Sequence, residues 1–144
     1  MDGTNIVRDR VTGGIGADEP YWAALAGGEF KLPRCAKCKT WTWPAHYRCP
    51  CGSWDFDWEA VEPVGTVFSW TRTWYPFDRV PERHAVLPYA TVLAEIPAAG
   101  GARVFGMVKG SDEGLKIGLP VRGVVTPASP DSKGYATICW ELVR

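Results

Sequence analysis

Cysteine is the residue type in this 144-residue chain whose spacing most clearly suggests chemistry, because four of the five cysteines lie between positions 35 and 51. Cys35 and Cys38 form a Cys-x-x-Cys pair, and Cys49 and Cys51 flank a single proline. Two such pairs on facing turns bring four thiolates to one tetrahedral ion. We therefore predict a metal site on Cys35, Cys38, Cys49 and Cys51. Four protein ligands leave no open position, so its predicted role is structural.

The second cysteine pair is shorter than a typical knuckle, which leaves two alternatives open. His46 lies close enough in sequence to replace one cysteine as a ligand, and a chain without metal is the other alternative. Zn²⁺ is the expected ion, although four thiolates in this spacing also suit iron. Zinc is favoured because nothing else in the sequence suggests electron transfer.

Residues for catalysis are not recognisable in the sequence. The two histidines, His46 and His84, fall in expected loops, and the Gly-x-Ser-x-Gly, His-Glu-x-x-His and Gly-x-Gly-x-x-Gly motifs are missing. Cys139 is expected to be a small apolar residue of the last strand rather than a nucleophile. Because catalysis requires a nucleophile, a base and an orienting group together, we predict no catalytic residues and no independent enzyme activity.

A basic and aromatic segment surrounds the cysteines. No acidic residue occurs between Phe30 and Cys51, and Trp41, Trp43 and Tyr47 alternate with the cations. The cations are Lys31, Arg34, Lys37, Lys39 and Arg48. The simpler interpretation is a solvated face around the metal; the alternative is a surface for RNA, nucleotide phosphates or an acidic protein.

A second aromatic and arginine-rich segment follows the first long strand. Prolines at positions 76, 81 and 88 keep this segment out of regular structure, and loops of this kind often carry binding residues. Large rings and arginines also dominate interface hot spots, although the rings could instead cap the barrel. The predicted partner or CoA contacts in this segment are Arg72, Trp74, Tyr75, Phe77, Arg79, Arg83 and His84.

Composition limits the function classes. Sixteen basic residues balance 16 acidic ones, so the excess positive charge expected of a general nucleic-acid binder is missing. No apolar run reaches the roughly 20 residues of a membrane span, and the first ten residues lack the apolar core of a secretory signal. We expect a cytoplasmic protein, in which cysteines stay reduced.

The elements that position these residues begin with a short helix. Residues 1–17 contain four glycines and no apolar period, so we expect a flexible tail. Asp18 and Pro20 are typical of a helix start, and the predicted helical region covers residues 18–29. Trp22 and Leu25 form its apolar stripe, which we predict to be a partner contact.

The remaining sequence predicts a mainly β-protein. Residues 30–60 are expected to form a zinc ribbon, with a strand over residues 54–59 where aromatic and acidic residues alternate. Residues 61–144 contain five candidate strands separated by turn signals, which favours a five-stranded OB-fold barrel. The strands are expected at residues 66–75, 89–96, 103–109, 121–126 and 135–142.

The order of these motifs is more specific than any one of them. A Tyr-Trp helix ends in Gly27-Gly28-Glu29 and precedes the Cys-x-x-Cys knuckle with Trp43-Pro44; the later segments are 65–71, 87–90 and 117–121. Over residues 18–144, the chain resembles the family of acyl-CoA-associated proteins that combine a rubredoxin-like zinc ribbon with an OB-fold, formerly a domain of unknown function. The shortened Cys49-Pro50-Cys51 pair departs from the family pattern.

The resemblance implies a non-catalytic accessory subunit. Members of this family form complexes with thiolase-like enzymes, and in some of them the OB-fold helps to shape the passage for a CoA thioester. Others partner steroid side-chain aldolases or stand beside hydratase-type subunits. It therefore implies structural Zn²⁺, an acyl-CoA substrate bound through the complex, and a hetero-oligomer for which two copies of each chain are one arrangement. Lipid metabolism, including steroid degradation, is the implied setting.

A binder of RNA or single-stranded DNA is the competing function, because OB-folds and zinc ribbons both serve that purpose. Neutral net charge disfavours it.

The tryptophans add a last expectation: seven of the eight fall in the first 74 residues, in the helix, the ribbon and the start of the long loop. We interpret the tryptophan excess as a contact surface rather than as core filling.

Overall fold

A short helix, a two-stranded ribbon and a five-stranded barrel follow one another along the chain. The computed structural model describes residues 16–75, 77 and 81–144. The helix and ribbon consist of α1 (Glu19–Ala26), β1 (Lys31–Cys35) and β2 (Phe56–Ala60). The barrel contains β3 (Val64–Thr73), α2 (Pro81–His84), β4 (Tyr89–Ile96), β5 (Ala102–Val108), β6 (Pro120–Thr126) and β7 (Thr137–Leu142), with 3-10 turns at Pro97–Ala99 and Pro130–Ser132.

Helix α1 lies within the predicted region 18–29 and ends at Ala26, three residues before its predicted end. Pro20 occupies the first turn, where a missing N–H costs nothing, and Gly27 is the C-terminal cap. The Asp18 side chain accepts a hydrogen bond from the indole N–H of Trp22 at 3.1 Å instead of capping a backbone N–H. Tyr21 and Leu25 are buried, so the helix packs firmly on the rest of the chain.

The ribbon is an antiparallel pair that the sequence reveals only in part. Strand β1 pairs with β2 in a register that runs from Lys31 opposite Ala60 to Cys35 opposite Phe56. The strand expected at residues 54–59 corresponds to β2, whereas β1 was not predicted. Pro33 obscures β1, because proline cannot donate to a strand ladder and is usually confined to sheet edges.

The barrel has the strand order β3-β4-β5-β7-β6 and closes by pairing of β3 with β6. Every neighbouring pair is antiparallel except β5 and β7, which run parallel and meet at two residue pairs, Met107 with Cys139 and Val108 with Trp140. Five strands in this order are those of an OB-fold. The predicted fold class, mainly β with a short helix, a zinc ribbon and a five-stranded barrel, is confirmed.

Trp140 lies at the centre of the barrel and is completely buried. Gly106 and Gly123 on the two flanking strands face it. A Cβ atom at Gly106 would lie 2.8 Å from the indole nitrogen, and one at Gly123 would lie 3.0 Å from the far side of the ring. Small residues at both positions therefore make room for the largest side chain of the core.

The burial of the tryptophans in the structure corrects the interpretation that the sequence suggested for them. Trp140 is in the core, and only Trp54 and Trp74 are exposed. The other five are half-buried and pack against the core: Trp22, Trp41, Trp43, Trp58 and Trp70. The prediction of a contact surface instead of core filling is therefore wrong for most of them, because a small barrel needs large rings to fill the space between helix, ribbon and strands.

One apolar core joins the three parts of the molecule. It includes Leu25 of α1, Leu32 of β1 and Val92 of β4. The division into residues 18–29, 30–60 and 61–144 stays a prediction, and most of the predicted tail at residues 1–17 lies outside the described residues. In the part of the chain that the structure describes, no helix is long and apolar enough to cross a membrane.

Candidate metal centre and contact surfaces

The four clustered cysteines converge on one point. Their sulfur atoms all lie within 4.8 Å of one another. The Sγ atoms of Cys35 and Cys51 are 3.6 Å apart, as are those of Cys38 and Cys49. Four thiolates bound tetrahedrally at about 2.3 Å require sulfur separations of roughly 3.8 Å. The cluster is thus positioned to hold a metal ion, and the arrangement fits the predicted zinc ligands.

Tight turns present the cysteines. Cys35 ends β1, its N–H donates to the carbonyl oxygen of Thr40 at 2.9 Å, and its own carbonyl accepts from the N–H of Lys39 at 3.0 Å. Lys39 adopts a left-handed conformation with φ of 65° to close this turn. In the second turn, the N–H of Gly52 donates to the carbonyl of Cys49 at 2.8 Å, which folds the Cys-Pro-Cys segment back.

The shortened second pair still completes the cluster. Cys51 belongs to the group of four sulfurs, whereas His46 does not. The imidazole of His46 instead lies with Nδ1 3.0 Å from the carbonyl oxygen of Pro44. The alternative in which His46 replaces a cysteine therefore has no support from the geometry, and a single intervening residue is enough for this turn.

Hydrogen bonds and neighbouring thiols set the protonation of the cluster. The backbone N–H of Cys38 lowers the pKa of the Cys35 thiol to about 6. Contact with the Thr40 hydroxyl lowers the pKa of Cys38. The N–H of Cys51 favours the Cys49 thiolate, but burial and the adjacent thiols outweigh it and raise the pKa of Cys49 to about 12. A bound cation removes this penalty, because it stabilises all of the thiolates together.

The basic residues around the cluster are partly neutralised within the chain. Lys31 lies 3.3 Å from Glu29, and Arg34 lies 3.6 Å from Glu59 across the ribbon. The guanidinium of Arg48 stacks over Trp54. These contacts support the interpretation as a solvated face, and the alternative as a binding surface for an anion stays a prediction.

The helix stripe does not form the predicted contact surface as a whole. Leu25 is only 1% exposed, so the prediction that it contacts a partner is wrong. Its side chain points into the shared core, because α1 is too short to be stable without burying this face. Trp22 remains half-buried and lines a shallow cavity of about 380 Å³ together with the turn that precedes β7.

The loop after β3 carries exposed aromatic rings. Trp74, Tyr75 and Phe77 are 69%, 66% and 85% exposed, and the rings of Tyr75 and Phe77 lie 5.0 Å apart. Their exposure gives no support to the interpretation in which they cap the barrel, and the partner contact at these positions stays a prediction. Arg79 lies outside the described residues.

The two described arginines of this region, Arg72 and Arg83, have partners within the chain. Arg72 forms an ion pair with Asp112 at 2.9 Å and stacks over Trp70, so its guanidinium also holds the loop before β6. Arg83 and His84 lie on α2 and are engaged in contacts within the chain. The structure therefore brings Arg72 and Trp74 to one cavity but gives Arg72 a structural role that the sequence does not reveal.

Two adjacent cavities lie beside this loop. The larger, of about 710 Å³, is lined by Arg72, Trp74 and Lys109, among other residues. The smaller, of about 410 Å³, shares Met107 and Cys139 with it and extends toward Trp22. Sequence reasoning missed Met107 and Lys109, and it placed Cys139 only as an apolar strand residue. No local signal marks them, because the outward face of a strand is known only once the barrel topology is known.

Comparison with known proteins identifies the ribbon. Residues 22–57 match a family model described as ChsH2, rubredoxin-like zinc ribbon domain. The match covers the helix residues from Trp22 onward and the ribbon as far as Asp57. The ChsH2-type ribbon coincides with the four-cysteine cluster, and the resemblance inferred from the order of motifs is confirmed.

Two solved structures resemble the whole chain. A chain of the Ltp2-ChsH2(DUF35) aldolase is 26% identical, with a TM-score of 0.74 over 88% of this chain and 94% of that chain. A DUF35-family protein of unknown function from Sulfolobus solfataricus is 15% identical, with a TM-score of 0.62 over 96% and 94%, which shows the shared fold. No curated protein sequence matches significantly.

Proposed function

We propose that this chain is a non-catalytic accessory subunit of a thiolase-like enzyme that processes acyl-CoA, of the thiolase or side-chain aldolase type. Support comes from its similarity to a chain of the Ltp2-ChsH2(DUF35) aldolase over nearly the full length of both. In this proposal the catalytic groups belong to the partner, and this chain stabilises the partner and completes its CoA-thioester site.

The exposed aromatic loop is the observation that carries the proposal. Trp74, Tyr75 and Phe77 are adjacent and largely exposed. Rings of this size are costly to leave in water, and aromatic residues are enriched among the anchors of protein interfaces. The loop is therefore the surface we assign to the partner, with Trp22 and the neighbouring helix surface as a secondary contact.

The cavity beside the loop supports a contribution to the CoA-thioester site. Its rim carries Lys109 and the Arg72–Asp112 pair, while Met107, Val86 and Pro88 supply apolar walls. A cation at the rim suits a phosphate of CoA, and apolar walls suit the pantetheine and acyl portions. Docking of a partner on Trp74 would cover this cavity and convert an open trough into an enclosed passage.

The proposed role of the metal is structural and its proposed identity is zinc. Cys35, Cys38, Cys49 and Cys51 would hold it, with four thiolates and no position for substrate. When bound, the ion cross-links the two turns of a ribbon that has little core of its own. Metal analysis of protein purified without added metal checks this: about one equivalent of zinc is expected, and iron would identify a rubredoxin-like centre.

Co-expression with a thiolase-fold protein encoded beside this chain tests the proposed function. The two proteins are expected to elute together at micromolar concentration in size-exclusion chromatography. The double variant W74A/F77A should separate them, whereas Ile117→Ala, an exposed apolar residue near the opposite end of β3, serves as the matched control. Separate elution of the wild-type proteins with unchanged partner activity would contradict the proposal.

The CoA contribution requires its own measurement in the assembled complex. Lys109→Ala is expected to raise KM for the CoA thioester without dissociating the subunits, because a lost phosphate contact weakens substrate binding rather than docking. An unchanged KM would remove Lys109 and this cavity from the proposal.

Tight, salt-dependent binding of single-stranded RNA to the isolated chain would instead favour the competing nucleic-acid function.

A further inference from the structure

The two edges of the ribbon differ in how their backbone groups are satisfied. On the β1 side, the carbonyl of Pro33 accepts a hydrogen bond from the N–H of Thr42 at 3.0 Å. The N–H of Cys35 donates to the carbonyl of Thr40 at 2.9 Å. Residues 40–42 therefore cover the outer edge of β1, and the outer edge of β2 is the one left to consider.

Two hydrogen bonds at the ends of the ribbon fix the direction in which the backbone groups of β2 point. The N–H of Ala36 donates to the carbonyl of Asp55 at 2.9 Å, and the N–H of Val61 donates to the carbonyl of Phe30 at 3.0 Å. Both pairs continue the register between β1 and β2. Because hydrogen-bonded and non-hydrogen-bonded pairs alternate along an antiparallel ladder, every second residue of β2 turns its N–H and C=O away from β1.

The residues of β2 that point outward are Phe56, Trp58 and Ala60. Within the part of the chain that the structure describes, no group is hydrogen-bonded to their N–H and C=O groups. Natural sheet edges are often interrupted by a proline or a bulge, and β2 contains neither. A further strand can therefore extend the ribbon at this edge, with main-chain hydrogen bonds to all three residues.

One face of β2 is acidic. Asp57 is exposed and has no ion pair among the described residues, Asp55 is exposed just before the strand, and Glu59 lies on the same face. Arg34 is the cation opposite them, and it is already held by Glu59 at 3.6 Å and by the carbonyl of Lys39 at 2.7 Å. This face therefore keeps an excess of negative charge for an incoming strand.

The other face of β2 borders an aromatic groove. A cavity of about 210 Å³ is lined by Tyr47, Trp54 and Trp58, among other residues. The Phe56 ring also lines it and lies 6.3 Å from the ring of His46. Alternate residues of an added strand would lie over this groove, because side chains alternate between the two faces of a sheet. Aliphatic side chains suit it.

We propose that the outer edge of β2 binds an extended segment of another protein in which basic residues alternate with aliphatic ones. The basic residues would lie beside the acidic face, and the aliphatic ones over the groove. A second copy of this chain is a poor occupant, because an antiparallel pair centred on Trp58 would place Asp57 opposite Glu59, and like charges on adjacent strands repel. The proposal does not depend on the thiolase-like partner or on the CoA-thioester site.

The experiment adds a synthetic peptide to the isotopically labelled full-length chain and follows backbone amides by NMR. Valine and arginine alternate in the peptide, with valine at both ends, and its length matches the five residues of β2. In the free protein, the amides of Phe56, Trp58 and Ala60 should exchange rapidly with solvent, whereas that of Glu59, which faces β1, should exchange slowly. Binding is expected to protect the three outward amides and to shift their resonances.

Three outcomes of this measurement would overturn the proposal. Slow exchange of the outward amides in the free protein would show that another part of this chain, or a second copy, already pairs with β2. Resonance shifts confined to the barrel would place the peptide elsewhere. An absence of protection at millimolar peptide would show that the edge binds no such strand.

Two control peptides separate main-chain from side-chain recognition. Proline in place of the central valine removes an N–H that would donate to β2, and glutamate in place of both arginines reverses the charge. Each control is expected to bind about tenfold more weakly, which corresponds to the loss of one or two ordinary polar contacts. Equal binding of the acidic peptide would overturn the basic character assigned to the partner.

Protein variants test the same edge. Asp57→Lys should weaken binding of the basic peptide about tenfold. Glu113→Lys makes the same charge change at an exposed residue outside the ribbon and should leave binding unchanged. Ala60→Pro removes an outward N–H without breaking a bond to β1, and it should also weaken binding. Thermal unfolding checks that each variant is folded, and unchanged affinity in Asp57→Lys would contradict the proposal even if Ala60→Pro does not fold.

Discussion

Glycine at positions 106 and 123 determines whether Trp140 fits inside the barrel. Both residues have ordinary negative φ values, so their backbone conformation does not require glycine. The requirement is space: a Cβ atom at Gly106 would lie 2.8 Å from the Trp140 ring, and one at Gly123 would lie 2.8 Å from Ile138. A Cβ atom would also meet the carbonyl oxygen of Ile138 at position 106 and the Pro63 side chain at position 123, so a larger residue must displace the ring or its neighbours.

Gly106→Ala is expected to destabilise the protein by about 1–3 kcal/mol, because overpacking forces the Trp140 side chain or β5 to move. Thermal unfolding followed by circular dichroism measures the loss as a lower Tm. Gly27→Ala is the control, since its Cβ would meet nothing closer than 3.5 Å. Equal Tm values for the two variants would show that the barrel has more space than the structure indicates.

For single residues, the sequence was enough to predict which cysteines cluster, but not enough to predict which apolar side chains are buried and what they contact. Cysteine spacing alone indicated the four sulfurs, because a chelating turn is a local feature. The burial of Leu25 and the ion pair of Arg72 with Asp112 depend on segments distant in sequence. Spacing along a helix shows which residues share a face but not which surface covers that face.

Helix α1 is held in place by rings from the ribbon. The Tyr21 ring lies 4.4 Å from that of Trp43 and 6.2 Å from that of Phe30. Desolvation in this environment, with the nearby Asp18 charge, raises the pKa of the Tyr21 hydroxyl and keeps it neutral. A helix of eight residues is unstable alone, so these contacts and Leu25 provide its stability.

Leu25→Ala is expected to cost about 2–5 kcal/mol, because it leaves a cavity at the junction of helix and core. Urea unfolding at equilibrium gives the free energy of unfolding directly. Ala26→Ser, on the exposed face of the same helix, should cost less than about 1 kcal/mol. A small loss for Leu25→Ala would revive the prediction that this residue contacts a partner.

The elements themselves were largely predictable, with identifiable exceptions. Helix α1 and strands β4 to β7 fall within a few residues of their predicted positions, because turn signals bound them. Strand β3 begins at Val64 and ends at Thr73, two residues earlier than predicted. Its bulge between Val67 and Ser69 shifts the register with β4, and alternation along one strand cannot show such a shift.

At the scale of the whole molecule, helix, ribbon and barrel share one core. Phe30 and Leu32 of the ribbon belong to the same buried cluster as Val121 and Trp140 of the barrel. The chain is therefore expected to unfold in one transition, although its parts were recognised as separate units from the sequence.

Removal of the metal is expected to lower the stability of the entire chain. An ion present at about a thousandfold excess over its dissociation constant contributes roughly 4 kcal/mol, or about 10 °C in Tm for a chain of this size. Differential scanning calorimetry with and without a strong chelator measures the shift. If the chelator instead abolished a separate low-temperature transition and left the Tm of the main transition unchanged, ribbon and barrel would unfold independently.

The parallel junction of β5 and β7 gives the barrel a preferred line of opening. Two residue pairs close it, together with a hydrogen bond from the N–H of Lys109 to the carbonyl of Trp140, whereas β3 and β6 share three pairs and β6 and β7 share six. Partial opening follows the boundary with the fewest bonds to break. Breathing along this line would admit water to the Trp140 indole, so hydrogen exchange at its ring N–H reports on a motion that leaves the rest of the barrel intact.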